Sequence, residues 1–538
     1  MYIIALGILI AISVGTRLLY IDSYPFGFSG HAIVHSHLRR KLYELIFVSP
    51  WGDNFWPAFR SLVVEDHHGS QSLLEALLTP IFGAGITESR LIVSTIGLIS
   101  IALVVMWGTT AINKWFGLAV GLAVSVAPYH LTYSRNGDSE HINIYLFSFL
   151  ILLAAQRIIT KGKIWDYLLL GVATGASFYF YAPVQMLALL VLGFLALLKF
   201  REVLRLPAFS MVLRLAAFFV PAFFLIRPVV YNSWSHGRLI PVHVPYGTPS
   251  YTFSTWEEIP ASLVKTWNEL FVQGTDPWFS RFEGCMRDWV VLLAVPGCAF
   301  LIYALSAAYK QKRGAEFFKP KSVHFRSILF CVAITLGLVA VGWVPGAMSP
   351  APHFRRLTLF AIGIDILMGA GIYVIGLILL RYLPKVLASL LILVGVGALT
   401  YEQWNTFYNK ISVSESTCKN SPVAIAREVR TRMISQREVN VLFLNEPGLL
   451  PADEMLYVLT FDLNYPAELP KSLKLRSLED VQKEPFTDLI IPADSYERLA
   501  RDGRAGKLGI VFSNPRVISN RAGQTHIIVD TKPLSSAK

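Results

Sequence analysis

The chain of 538 residues is 54% hydrophobic and 16% charged, with a mean hydropathy of +0.50, which excludes a single soluble domain and points to a polytopic membrane protein with a further domain attached. Its formal net charge of +12 does not signal a nucleic-acid partner, because Lys and Arg gather in short loops between apolar segments, the pattern of membrane topology. The cysteines, at 285, 298, 331 and 418, have no framework spacing. Cys298 and Cys331 fall in apolar runs, so a disulfide would have to join Cys285 and Cys418.

A spanning helix needs about 20 predominantly apolar residues. Candidate segments run at 1–20, 87–110, 116–130, 142–157, 165–181, 184–199, 210–227, 288–308, 327–345, 357–379 and 386–402, eleven in all. The first lacks the basic start and small-residue cleavage site of a signal peptide, so it is read as a helix of the mature chain. Arg17 near its end is expected to snorkel to the headgroups.

Basic residues orient the segments. Arg157, Lys161 and Lys163 form one short basic loop; Lys199, Arg201, Arg205 and Arg214 lie in or beside a second; Lys310, Lys312, Arg313, Lys319, Lys321 and Arg326 make a third. With eleven crossings all three lie on one side, which is then cytoplasmic together with the N-terminus. The transmembrane domain is residues 1–402, with long outer loops at 21–86 and 228–287.

In the first outer loop, Ile33, Leu38, Leu42 and Leu45 against Arg39, Arg40 and Lys41 predict an amphipathic helix along the membrane surface. Trp234, Trp256, Trp267 and Trp278 suit an interfacial position in the second. Residues 403–538 have no run long enough to span. There, Val439–Leu444, Leu456–Phe461, Asp488–Ile491, Leu508–Phe512 and His526–Val529 read as short strands, and Pro422–Met433 and Tyr496–Arg501 as helices. A small extracytoplasmic α/β domain results, without a phosphate loop or nucleophile elbow.

Between two apolar runs lies Pro128–Ile144, PYHLTYSRNGDSEHINI, which sets Arg135, Asp138 and Glu140 at the mouth of two helices. Charges there are costly and mark a candidate site. The stretch resembles the loop between the third and fourth helices of GT-C superfamily glycosyltransferases. Tyr133-Ser134-Arg135 is close to the Tyr-Ser-Arg stretch of the dolichyl-phosphate-mannose protein mannosyltransferase-like and aminoarabinose-transferase-like members, and Asp138-x-Glu140 is similar to the second acidic motif of oligosaccharyltransferase catalytic subunits. Glu65-Asp66-His67-His68 before Leu73–Ile81, with Thr87–Leu91 opening a helix, resembles the family's approach to its second helix. Gly171–Pro183 resembles its fifth-helix end, and Pro350–Arg356 before Leu357–Gly371 its late Arg-bearing loop. Their order and spacing carry the resemblance.

The resemblance implies a GT-C-like helical membrane fold and transfer of a sugar from a polyprenyl-phosphate carrier to a lipid, glycan or protein acceptor on the outer face of a bacterial plasma membrane. Departure leaves a phosphate or pyrophosphate at the membrane edge, which Arg135, Arg355 and Arg356 would hold bidentately, with His353 as an auxiliary donor. Asp138 and Glu140 would act on the acceptor or hold magnesium or manganese.

The chain departs from the family in its first outer loop, where an acidic motif usually supplies the catalytic base. Here the stretch reads Phe26-Gly27-Phe28-Ser29-Gly30-His31-Ala32, and Asp22 lies before Pro25, off the motif. His31, titrating near neutrality, would replace the acid as base; Glu65 or Asp66 are the alternatives. His31 and His35 at helical spacing, with Asp66, His67 and His68, offer a metal reading, but no Glu lies within the pair as in a zinc-protease helix. The missing acid also favours a second class of function: a catalytically inactive GT-C-like scaffold, binding polyprenyl lipid or envelope proteins. A transporter lacks support, with neither inverted repeats nor paired broken helices in the sequence.

Overall fold

The computed structural model describes residues 2–21, 38–48, 52, 54–65, 67–83, 86–135, 137, 139–180, 182–235, 259–271, 292–313, 321–344 and 357–408, and five strands beyond residue 438. The helices are α1 (Tyr2–Leu18), α2 (Phe55–Arg60), α3 (His67–Phe82), α4 (Ile86–Ala111), α5 (Lys114–Val126), α6 (Pro128–Tyr133), α7 (Ser139–Thr160) and α8 (Ile164–Ser177). They continue as α9 (Ala182–Leu204), α10 (Ala208–Ser235), α11 (Ile259–Phe271), α12 (Ala294–Arg313), α13 (Lys321–Val341), α14 (Thr358–Tyr382) and α15 (Lys385–Thr406).

Each apolar segment expected to span overlaps a helix, but 116–130 is broken at Ala127 between α5 and α6. Among the described residues six are long and apolar enough to cross a membrane: Thr87–Ala111, His141–Thr160, Ala208–Tyr231, His324–Val341, Thr358–Tyr382 and Lys385–Thr406. The surface of α10 suits lipid, since its apolar side chains point outward, with Phe209 79% and Phe224 65% exposed. At the centre, α7 packs on α4 and α8, while α14 packs on α12, α13 and α5. The α12–α14 crossing depends on small residues. A Cβ on Gly297 would strike the Leu367 carbonyl oxygen, and one on Gly371 the Leu293 carbonyl oxygen, a backbone approach that stands in for a hydrophobic driving force in lipid.

Local chemistry explains the tight α4–α5 corner. Asn113 sits at the N-cap of α5, its Oδ1 accepting from the backbone N–H of Trp115 and Phe116 at 3.0 Å each, while its Nδ2 donates to the Tyr373 hydroxyl of α14 at 2.8 Å. One side chain thus satisfies a helix start and ties it to a third helix. Asn113→Ala is expected to cost about 2 kcal/mol, read from the unfolding midpoint in mixed micelles; an unchanged midpoint would count against the cap.

Described residues from each of the three basic loops meet at one end of the bundle. Arg157 Nε donates to Asp166 Oδ1 at 2.6 Å, and Asp166 Oδ2 accepts from the Lys163 backbone at 3.1 Å. Arg214 lies over the Tyr167 ring; Lys199 and Arg326 both pair with Glu202.

At the opposite end, the segments between α1 and α4 build a small core of their own, with Leu42, Val63 and Ala76 buried together and Tyr43 and Tyr179 packed against them. The expected amphipathic surface helix is corrected here. The helical segment 38–48 buries Arg39 (0% exposed) and Arg40 (7%) beside Leu38 and Leu42, because Arg39 Nη1 donates to Ser89 Oγ at 2.7 Å and faces Glu75, while Arg40 Nε donates to Glu44. Only Lys41 of the three basic residues stays outside.

Beyond the helices, β1 (Val439–Leu442), β2 (Leu473–Arg476), β3 (Leu489–Ile491), β4 (Phe512–Ser519) and β5 (Thr525–Thr531) form a sheet in the order β2-β1-β3-β5-β4. Strand β1 runs parallel to both β2 and β3, and β5 is antiparallel to β3 and β4. Parallel neighbours require crossover connections rather than hairpins. Strands β1, β3 and β5 lie where the sequence expects them, β2 falls on none of the expected strands, and β4 begins at Phe512, where the expected Leu508–Phe512 ends. The expected strand Leu456–Phe461 and the helices Pro422–Met433 and Tyr496–Arg501 lie outside the described residues. So do Cys285 and Cys418, and the side chains of Trp234, Trp256, Trp267 and Trp278; Cys298 and Cys331 are free thiols.

Candidate active site

The motif stretch folds as a break between two buried helices. Pro128 at the start of α6 lacks the N–H that a helix start leaves unused, and Gly137 at φ 79° turns the chain into α7, a left-handed conformation that costs a glycine little and an L side chain more. Ser94 of α4 donates to the Ser134 carbonyl at 2.7 Å, fixing the end of α6.

Beneath this turn lies a buried polar cluster. Arg17, expected to snorkel, is instead 0% exposed. Its Nη1 and Nη2 both donate to the Ser125 carbonyl at 3.1 Å, and Nη1 also donates to the Ser13 carbonyl and Thr16 Oγ1. The correction has a physical reason: α1 ends against α5 and α6, and the Ser125 carbonyl of α5, the Ser13 carbonyl of α1 and the His130 ring of α6 solvate the guanidinium where lipid headgroups would otherwise be needed. Nη2 also lies 2.6 Å from His130 Nδ1. Since a guanidinium only donates, Nδ1 accepts, and the Nε2–H of His130 is left to donate to Ser100 Oγ at 2.7 Å. Ser100 Oγ in turn donates a hydrogen bond to the Gly97 carbonyl at 2.7 Å. His130 is therefore a neutral imidazole of fixed tautomer.

The cluster continues across the bundle. The His130 ring packs edge-on against Tyr145 of α7, with centroids 4.8 Å apart, and Tyr145 Oη donates to Asp365 Oδ2 of α14 at 3.3 Å. Asp365 is 4% exposed. Nearby, Tyr133 stacks on His141 at 4.5 Å. Arg17 was read as a headgroup anchor, and His130, Tyr145 and Asp365 escaped the sequence reading although a signal existed, since ionisable residues inside apolar runs mark interior-facing positions.

Arg135 is the one expected site residue whose side chain is described. It is 0% exposed. Nη1 donates to the Thr16 and Arg17 carbonyls at 2.8 and 2.7 Å, and Nη2 to the Leu19 carbonyl at 2.8 Å. The guanidinium lies 5.4 Å from the ring centroids of both Trp404 and Phe407, at the end of α15. It thus caps the carbonyl end of α1, where a cation suits the helix dipole.

His31, Asp66, Asp138, His353, Arg355 and Arg356 lie outside the described residues, as do His35 and the side chains of Glu65, His67, His68 and Glu140. The backbone nonetheless places Glu140 in the first turn of α7, next to the Arg135 turn. Leu357, the residue after Arg356, opens α14, the helix that carries Asp365. Among the described residues no group of three His, Cys, Asp or Glu side chains is placed to hold a metal ion.

Residues 71–226 match the family model described as dolichyl-phosphate-mannose-protein mannosyltransferase. Comparison with curated protein sequences gives no match. Among solved structures, the chain is similar to ArnT from Cupriavidus metallidurans bound to undecaprenyl phosphate, at 15% identity and a TM-score of 0.42, with 97% of each chain covered. It is also similar to the archaeal oligosaccharyltransferase AglB from Archaeoglobus fulgidus, in complex with an inhibitory peptide and a dolichol-phosphate, at 14% identity and a TM-score of 0.47. That match covers 90% of this chain and 61% of AglB. Over residues 71–226, which include the Tyr-Ser-Arg turn and most of the buried polar cluster, the chain is similar to the dolichyl-phosphate-mannose-protein mannosyltransferases.

Proposed function

We propose that the chain is a GT-C type glycosyltransferase, moving a sugar from a polyprenyl-phosphate donor to an envelope lipid, glycan or protein acceptor on the outer face of a bacterial plasma membrane. The observation that carries this reading is the family match over residues 71–226, which falls on α3 to α10 and on the turn bearing Asp138 and Glu140. The gathering of the basic loops at one end supports an N-terminus and basic end in the cytoplasm. Eleven crossings then put residues 403–538 outside as an α/β domain beside the acceptor.

In this reading Arg355 and Arg356 hold the departing phosphate, with His353 as a further donor. Arg135, expected from sequence at the same phosphate, has both Nη atoms engaged by the end of α1. His31 takes the acceptor proton in place of the absent first-loop acid, with Glu65 and Asp66 as the other bases within that loop. Asp138 and Glu140 are hard oxygen ligands suited to magnesium or manganese, which would supply polarisation of the leaving phosphate.

One feature favours a second reading: Gly30-His31 stands where the family carries acids, which fits a scaffold that binds polyprenyl lipid or envelope proteins and transfers nothing. Complementation of a deletion strain separates the two. Transfer predicts that His31→Ala, Asp138→Asn and Glu140→Gln each fail to restore the phenotype while inserting normally. Full restoration by all three would leave only the scaffold.

A further inference from the structure

Three chain segments converge on one guanidinium. Arg135 belongs to the turn leading to Asp138 and Glu140. Its Nη groups hold the Thr16, Arg17 and Leu19 carbonyls, from which the chain enters the loop carrying His31. Its face meets Trp404 and Phe407, after which the chain leaves for residues 409–538.

The connection to α1 is reciprocal. The Arg17 carbonyl accepts from Arg135, while the Arg17 side chain reaches back to Ser125 and His130, on either side of the α5–α6 junction. Two fully buried guanidinium groups therefore brace α1 against the motif turn from both directions. Burying two cations so near each other is costly, and their carbonyl, imidazole and aromatic partners offset that cost. Five donors in a planar fork can span three carbonyls of a helix end; the single ammonium of Lys cannot reproduce that geometry.

We propose that Arg135 is a positioning residue which, through the end of α1 and the end of α15, sets the first outer loop against the Asp138–Glu140 turn, and that it does not ligate the donor phosphate. This rests on the transferase reading above. A residue acting through position lowers kcat without weakening binding of the phosphate, whereas a phosphate ligand weakens both.

The test uses the full-length protein in lipid nanodiscs, with undecaprenyl phosphate as the binding probe. Leu19 is 56% exposed, so Leu19→Cys supplies a thiol that reports on the end of α1. For Arg135→Lys in that background the expected results are undecaprenyl phosphate affinity within about 3-fold of the parent, donor KM unchanged, kcat lower by about 30-fold, and faster maleimide labelling of the reporter thiol. Trp404→Ala is expected to show a smaller version of the same pattern, and Trp404→Phe, which keeps an aromatic face, to restore it. The double variant Arg135→Lys/Trp404→Ala should be no worse than Arg135→Lys alone, the sign of shared function.

Loss of undecaprenyl phosphate binding in Arg135→Lys with reporter labelling unchanged would overturn the proposal, as would additive losses in the double variant. If the parent transfers no sugar, the transferase reading falls. Labelling of the same thiol in the Arg135 and Trp404 variants then decides the brace by itself: faster labelling upholds it, and an unchanged rate overturns it.

Discussion

Glu75→Gln is expected to lower unfolding free energy by about 4 kcal/mol, measured by denaturant titration in mixed micelles. Glu75 and Arg39 are both 0% exposed, with Arg39 Nη1 3.9 Å from Glu75 Oε2. Burial pulls the Arg39 guanidinium below its ordinary range, and the Glu75 and Glu88 carboxylates push it back up. Glutamine keeps the shape of the acid and removes its charge, so the buried cation loses the stronger of its two carboxylate neighbours without gaining solvent. The double variant Arg39→Met/Glu75→Leu removes both charges at similar volume and should recover most of the loss. Failure to recover would mean that packing around α3, not the ion pair, sets the cost.

The pair also bears on the site. It joins the helical segment 38–48 to α3 and, through Ser89, to α4, and so fixes the outer-loop core beside which the His31 loop runs in sequence. Glu75→Gln is therefore expected to slow transfer even in molecules that remain folded.

The second large effect concerns the donor phosphate. Arg355→Ala and Arg356→Ala are each expected to reduce transfer by about 100-fold or more, because a positioned charged donor at a developing anion is worth about that factor. Lysine at either position should restore little, since a point charge does not supply two parallel N–H bonds. Release of free polyprenyl phosphate from a labelled donor reads the effect. Near-parental rates in both alanine variants would reduce the pair to interfacial anchors.

Apolar length located the long helices, since only a long apolar run can cross lipid, and short apolar runs located β1, β3 and β5. Periodicity misled at residues 38–48, where Arg39 and Arg40 looked like a solvated face and proved buried. The cause is a partner 36 positions away in Glu75, which no local pattern reveals. Strand β2, LKLR, carries two basic residues in four and has no apolar face broad enough to stand out.

At the site, the Tyr-Ser-Arg turn stood out in the sequence, but the partners of the Arg135 side chain did not. A guanidinium bound to phosphate and one bound to helix-end carbonyls are identical in sequence; only the geometry of Thr16, Arg17 and Leu19 distinguishes them. Asp365 lay inside an apolar segment whose overall hydropathy concealed it, and its partner Tyr145 is 220 residues away.

Single-turnover release of polyprenyl phosphate tests the transferase most directly. The full-length protein in a bilayer is mixed with radiolabelled polyprenyl-phosphate sugars and an envelope extract as acceptor, and free polyprenyl phosphate is counted against time. As a transferase, the parent releases polyprenyl phosphate, with label appearing on an envelope acceptor, and releases none above background when His31, Asp138 and Glu140 are replaced together by Ala, Asn and Gln. Release that survives this replacement, or no release from any polyprenyl-phosphate donor by a folded parent, would contradict the transferase reading.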